Sequence, residues 1–275
     1  NLTVSIGSEA GKINIVDNIS FDIRRGETFV LLGESGSGKS VTALSIMRLL
    51  PSAIKINAGE VILNDINLFQ LPENKMREVR GANIGMIFQE PQTSLNPVLT
   101  AGQQISETLH QHTNLSNNQC IAHSIELLDA VGIPEPERRI NEYPHQFSGG
   151  MKQRIMIAIA LAGEPDLLIA DEPTTALDVT IQAQVLELLR KLQRETDMSI
   201  LFITHDIGVA SQMADHIAVM KDGSIVETKN KEDLFSNPEH EYTLKLFSAI
   251  PSWEKRVKEG GIEKIDHIGD KRLLK

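Results

Sequence analysis

Residues 28–40 read Thr28-Phe29-Val30-Leu31-Leu32-Gly33-Glu34-Ser35-Gly36-Ser37-Gly38-Lys39-Ser40. Thr28–Leu32 is a short, mostly apolar run of the kind expected for a strand buried on both faces. Gly33 to Ser40 fit the pattern G-x-x-x-x-G-K-[ST]. Its glycines let the backbone wrap so that N–H groups point inward at a phosphate. A helix opening near Ser40 adds its positive end to the same place. Lys39 has the reach for β- and γ-phosphates, and the Ser40 hydroxyl can ligate Mg²⁺. A strand before the loop and a helix after it are the context the pattern requires. The loop alone leaves kinases, GTPases and many ATPases open.

Outward from this loop, the chain alternates short apolar runs with longer helical patterns, which predicts an α/β sandwich around a mainly parallel sheet. Leu167–Ala170, Ile200–Thr204 and Ile217–Met220 read as further buried strands. Leu2–Ile6 and Ile13–Ile23 partly alternate apolar with polar residues, which predicts an antiparallel edge subdomain. Val61–Leu63 followed by Asn64-Asp65 adds a hairpin to that subdomain. Helices are expected over Ser40–Leu50, much of 100–132, 151–162 and Val179–Glu195, the last with Ile181, Val185, Leu188, Leu189 and Leu192 on one side. Residues 90–164 carry few strand signals and read as a helical insertion. From Ser252 to Lys275 the composition turns to mixed charge with Gly260-Gly261 and Gly269, as in a linker or tail.

Composition narrows the classes of function. The 275 residues suffice for one large domain or two small ones, and 41% apolar content supports a packed core. Asp and Glu number 37 against 27 Lys and Arg, a formal charge of -10 that argues against a nucleic-acid surface. The single cysteine, Cys120, excludes an internal disulfide, a multi-cysteine zinc site and an iron–sulfur cluster. A reduced cytosolic compartment fits best. No apolar run reaches the roughly 18–20 residues of a spanning helix. The start, Asn1-Leu2-Thr3-Val4, has neither an initiator Met nor a signal sequence, as in a trimmed or excised chain.

Two further constellations carry chemistry. Leu167–Ala170 ends in Asp171-Glu172, and acids at the carboxyl end of a parallel strand lie where ligands bind in open α/β sheets. Asp171 suits Mg²⁺ held through water. Glu172 suits a γ-phosphate neighbour that orients or deprotonates the attacking water. Without the phosphate loop, this pair would read as an acidic turn capping the next helix. Ser148-Gly149-Gly150 opens the helix at 151 and offers a second anion site of one hydroxyl and two amides; alone it would be a plain cap. The other histidines earn no ligand role, since His110 and His112 face different ways on one helix. Met151, Met156 and the stripe Ile155–Leu161 read as core.

With these stand Gln89 in Ile87-Phe88-Gln89-Glu90-Pro91, Ala176-Leu177-Asp178, and His205 after Ile200–Thr204. Outside the set, Gln89 would be an ordinary strand-end residue and His205 a loop histidine. Together, in this order, the motifs resemble the nucleotide-binding domain of ABC transporters from Leu2 to about Ser252. Ser94-Leu95-Asn96-Pro97, Tyr143-Pro144-His145-Gln146 and Pro238-Glu239-His240-Glu241-Tyr242-Thr243 are similar to the bacterial oligopeptide, dipeptide and nickel importer group. The resemblance implies an α/β P-loop NTPase (RecA-like) core with an antiparallel β subdomain and a helical subdomain, spanning 1–251 with the helical part at about 90–164. It implies ATP and Mg²⁺ as cofactors. Two domains would pair head-to-tail, each ATP lying between one phosphate loop and the Ser148–Gly150 signature of the other. Gln89 would sense the γ-phosphate or Mg²⁺ and relay it to a membrane subunit docked near 90–100. His205 would contact the γ-phosphate and help hold the water, and Asp178 would order the partner's site. The implied partners are a second such domain, transmembrane permease subunits and, indirectly, an extracytoplasmic solute-binding protein. The implied location is the cytoplasmic face of the bacterial inner membrane, peripherally attached. The alternative is an ABC ATPase that remodels nucleic acid or the ribosome, which the acidic balance disfavours.

Some positions depart from that pattern. Adenine usually stacks on an aromatic ring from the N-terminal β region, yet residues 1–20 hold no Phe, Tyr, Trp or His, and Ile6 or Ala10 takes the place. Phe147 stands where Leu is common, and Met151 where Gln is common. The C-terminal cysteine cluster of many such importers is absent. The stretch ending Lys271-Arg272-Leu273-Leu274-Lys275 looks like the joint between two fused ABC domains, the expectation being the N-terminal half of a tandem ATPase.

Overall fold

The computed structural model describes residues 1–8, 11–175 and 177–248. The expected tail at 252–275, Ala10 and Ala176 lie outside them. In chain order the elements are β1 (Leu2–Ser8), β2 (Gly11–Ile19), β3 (Thr28–Leu32), α1 (Lys39–Ile46), β4 (Ile54–Ala58), β5 (Ile62–Leu63), β6 (Ile66–Asn67), α2 (Glu73–Ala82) and β7 (Ile84–Ile87). Then come α3 (Pro91–Ser94), α4 (Ala101–His112), α5 (Asn117–Ala130), α6 (Pro136–Arg139), α7 (Gly149–Leu161), β8 (Leu167–Asp171) and α8 (Val179–Thr196). The chain ends with β9 (Ser199–Thr204), α9 (Ile207–Met213), β10 (His216–Lys221), β11 (Ser224–Asn230), α10 (Lys231–Ser236) and α11 (Glu241–Ser248). It divides into two compact units, one formed by residues 1–23, 27–60 and 202 onward, the other by 24–26 and 61–201.

In the first unit, β2-β1-β4 form the expected antiparallel sheet, with Leu2 opposite Ile19 and Val4 opposite Val16, all four buried. The strand expected over Ile13–Ile23 ends at Ile19, after Asn18 adopts φ 50° and breaks the extended run. β3 is buried at every residue and pairs in parallel with β10, His216 opposite Phe29 through Val219 opposite Leu32. β9 flanks β3 on its other side. β11 returns antiparallel to β10 through Asp222 (φ 47°) and Gly223 (φ 83°), the left-handed pair that a two-residue hairpin needs. Gly223 is pressed to β2: its carbonyl accepts Asp17 N–H at 2.8 Å, and an added Cβ would lie 2.6 Å from the Ile15 oxygen.

The helix after the phosphate loop stops at Ile46, short of the expected Leu50. Arg48 turns left-handed (φ 52°), its N–H bonds Ser45 O at 3.0 Å, and Leu49 N–H reaches Leu44 O at 2.8 Å. That is a Schellman stop, and Pro51 beyond it could not have continued the helix.

In the second unit, β7 and β8 run parallel from Ile84 opposite Leu167 to Ile87 opposite Ala170, and the start of β9 lies beside β8. α3 to α7 fall between β7 and β8, and the described residues of 90–164 hold no strand. α4 and α5 both open on capping boxes, Thr100 with Gln103 and Ser116 with Gln119. Their facing sides bury Ile105, Leu109, Cys120 and Leu128. α7 buries Ile155, Met156 and Leu161, as the stripe predicts. The hairpin expected at Val61–Asp65 exists as β5-β6 through left-handed Asn64 and Asp65, but it is a sheet of its own in this unit, not part of β2-β1-β4.

Candidate functional site

The loop at 33–40 links β3 to α1. Gly33 leaves no room for a side chain, since a Cβ there would collide with the Met220 carbonyl of β10. Gly36 (φ 84°) and Gly38 (φ 104°) carry the left-handed turns that fold the backbone over. A Cβ on Gly36 would meet nothing, so the outer side of the loop is open; one on Gly38 would lie 2.8 Å from the Ile15 oxygen. Lys39 is only 4% exposed. Its Nζ donates to Gly33 O and Glu34 O, each at 2.8 Å, and to Ser37 Oγ at 3.4 Å. Lys39 thereby curls the loop around its own ammonium, while Ser35 and Gly36 face solvent. Ser37 O is held by Gly223 N–H at 3.0 Å. The loop is thus folded over a buried positive charge at the start of α1, a form suited to a polyphosphate. His205, of the same unit, is exposed just past β9; Asp206 caps α9 through Val209 N–H at 3.1 Å.

In the second unit, the end of β8 places Asp171 and Glu172 in buried positions, Glu172 with a left-handed backbone (φ 47°). Such a conformation in a non-glycine residue costs about 1–3 kcal/mol and is the kind of strain held at functional sites. Gln89 leaves β7 at the adjacent position and donates its amide to Glu172 Oε2 at 3.1 Å. Thr175 Oγ1 donates to the same oxygen at 2.9 Å. The neighbouring parallel strands thus bring Gln89 and Glu172 together across 83 positions of sequence. The Thr175 contact was not legible, because hydroxyls follow many strand ends.

At the start of α7, Ser148 Oγ accepts Met151 N–H at 3.3 Å, so this hydroxyl caps its own helix, while Gly149 opens to solvent. Gly150 meets Ile181 of α8: an added Cβ would lie 2.8 Å from its Cγ2. Asp178 Oδ1 caps α8 by accepting Ile181 N–H at 2.9 Å. The helix starts that carry Ser148–Gly150 and Asp178 therefore meet, through Gly150 and Ile181. Phe147, where Leu is common, is core.

Ile6 occupies β1 opposite Ile13 and Ile54. Ile6 is half-buried and Ile13 is 58% exposed, so β1 and β2 present an apolar strip at one of the two positions expected to face adenine. Ile6→Tyr is expected to tighten ATP binding about fivefold or more, from a stacking gain of about 1–3 kcal/mol. Calorimetric titration with Mg·ATP checks this, and an unchanged Kd would refute it.

A strand, a glycine loop closed on a buried lysine, and a strand-end acid pair define a phosphate-loop nucleotide-binding protein of the α/β class. The family profile described as ABC transporter matches residues 16–175, and the chain belongs to that family. It is 51% identical over 252 residues to the dipeptide transport ATP-binding protein DppD of Bacillus subtilis (strain 168), covering 91% of this chain and 75% of that one. It is 50% identical over 256 residues to the glutathione import ATP-binding protein GsiA of Salmonella paratyphi A (strain ATCC 9150 / SARB42), covering 91% of this chain but only 41% of that longer one. A solved dimer of the ATP-binding cassette MJ0796, bound to ADP and Pi, is 32% identical with a TM-score of 0.75, over 84% of this chain and 97% of that one.

Proposed function

We propose that this chain is the ATP-hydrolysing subunit of an importer for peptides or related solutes. The observation that carries this reading is the hydrogen bond from Gln89 to Glu172: the candidate base is held by the residue that opens the exposed segment leading to 90–100. A change at Glu172 would so reach the segment that follows β7, where Phe88 and Val98 are exposed and a permease subunit would dock. Residues 1–251 read as one cassette, with 90–164 as its helical part. The names of DppD and GsiA favour solute transport over the remodelling of nucleic acid or ribosomes.

Residue by residue, the amides of 33–40 and the Lys39 ammonium would bind and orient the triphosphate. Glu172 would take a proton from the attacking water, and His205 would help hold that water. The residues that the resemblance gives to Mg²⁺, Ser40 in the first unit and Asp171 and Gln89 in the second, each offer a hard oxygen of the kind Mg²⁺ takes. Mg²⁺, when bound, would neutralise phosphate charge in the transition state. Ser148–Gly150 would accept the γ-phosphate of a partner's ATP, with Asp178 beside it, so that ATP joins two cassettes head-to-tail. Permease subunits would take up the 90–100 segment at the cytoplasmic face of the membrane, and a solute-binding protein would deliver cargo from outside. Among the described residues, no helix is long and apolar enough to cross a membrane.

The molar mass of Glu172→Gln by light scattering tests the pairing. With Mg·ATP it should rise from monomer to dimer and without nucleotide it should not. A variant that binds Mg·ATP and stays monomeric would contradict self-pairing.

A further inference from the structure

We propose that Tyr242 of α11 is a positioning residue for the phosphate loop, its hydroxyl fixing the peptide N–H of Glu34 from a helix more than 200 residues away. The inference rests on the reading of 33–40 as the nucleotide site and extends it to a part of the chain with no assigned role. The Tyr242 hydroxyl accepts Glu34 N–H at 3.3 Å, while the carbonyl of the same residue accepts Lys39 Nζ at 2.8 Å. Glu34 is thus gripped from both sides of its backbone, and the first half of the loop loses its freedom to turn. Loss of the Tyr242 grip would leave the Gly33–Glu34 peptide held at its Gly33 oxygen by Lys39 Nζ but loose at its N–H, and the missing ordering would then have to be supplied by each ATP that binds.

Tyr242 is itself held on several sides. It is buried, and the Lys221 ammonium lies over its ring, 5.1 Å from the centroid. Burial raises the pKa of its hydroxyl, the Glu34 N–H it accepts pulls it down, and the carboxylates of Glu34 and Asp222 push it up again; the net is upward, so it remains a neutral phenol. Phe247, further along α11, stacks on Phe235 of α10 at 5.1 Å. The turn into α11 is pinned by Glu227, whose carboxylate accepts Glu239 N–H at 2.9 Å and His240 N–H at 3.1 Å. Lys229 ties the same turn to Glu227, to Glu239 and to the Asn237 carbonyl. Every one of these groups lies in the first unit. Such coupling is reciprocal: if α11 stabilises the loop for ATP, ATP must stabilise the docking of α11.

The test uses the full chain, with Tyr242→Phe keeping the ring and removing only the hydroxyl, and Lys39→Ala as reference. Tyr242→Phe should raise the KM for ATP roughly fivefold, the worth of one neutral hydrogen bond, with kcat held within about twofold. In the wild type, Mg·ATP should slow amide exchange over residues 241–248, and in Tyr242→Phe that slowing should vanish. An unchanged KM, or ATP-induced protection of 241–248 that persists in Tyr242→Phe, would overturn the proposal. If Lys39→Ala also binds ATP normally, the nucleotide-site reading itself fails; if only Tyr242→Phe is silent, the positioning role alone is lost.

Discussion

Glu172→Gln is expected to lower ATP hydrolysis by about 10²- to 10⁴-fold, the usual contribution of a general base, while Mg·ATP binding persists. The substitution keeps size and shape. Gln89 and Thr175 both donate to Glu172 Oε2, and an amide oxygen can accept the same bonds, so the buried site need not rearrange. What disappears is the proton acceptor. Two readings separate chemistry from damage: phosphate release at saturating Mg·ATP, and a nucleotide titration on the same sample. A fall of less than tenfold in rate would remove Glu172 from the role of base.

The second large effect is on binding. Lys39→Ala is expected to weaken ATP binding at least about 100-fold, because two functions vanish together. The ammonium supplies charge-assisted hydrogen bonds, each worth about 1.5–3 kcal/mol. It also closes the loop through Gly33 O, Glu34 O and Ser37 Oγ. Lys39→Arg should not rescue, since a planar fork cannot replace a compact ammonium in a site 4% exposed. Titration with a fluorescent ATP analogue measures both variants, and near-wild-type affinity in Lys39→Ala would contradict the placement of phosphates on this loop.

Thr28–Leu32, Leu167–Ala170 and Ile200–Thr204 are continuous apolar runs because the strands they form are buried on both faces, and that burial leaves a direct mark on sequence. β11 leaves little mark on the sequence because Ser224–Asn230 is mostly polar; its signal is the Asp222-Gly223 turn behind an apolar strand. β4 and α11 are likewise faint in the sequence, each too short for a clear period, and β7 shows only through Gln89 read as a strand-end residue. Leu49 and Leu50 extended the apparent helix of α1, but its stop is set by backbone geometry at Arg48. Within the site, residue types and order identified Gln89 and Glu172, while their bond depends on strand pairing. Tyr242 lay within a motif marked only by likeness. Its contact with Glu34 spans 208 positions, a separation that no local pattern encodes.

The central claim is that hydrolysis by this chain drives solute import, and uptake of a labelled dipeptide tests it most directly. Cells lacking this chain would be complemented with the wild type or with Glu172→Gln at equal expression. The account predicts that the wild type restores uptake and Glu172→Gln does not. Equal restoration by both would contradict it.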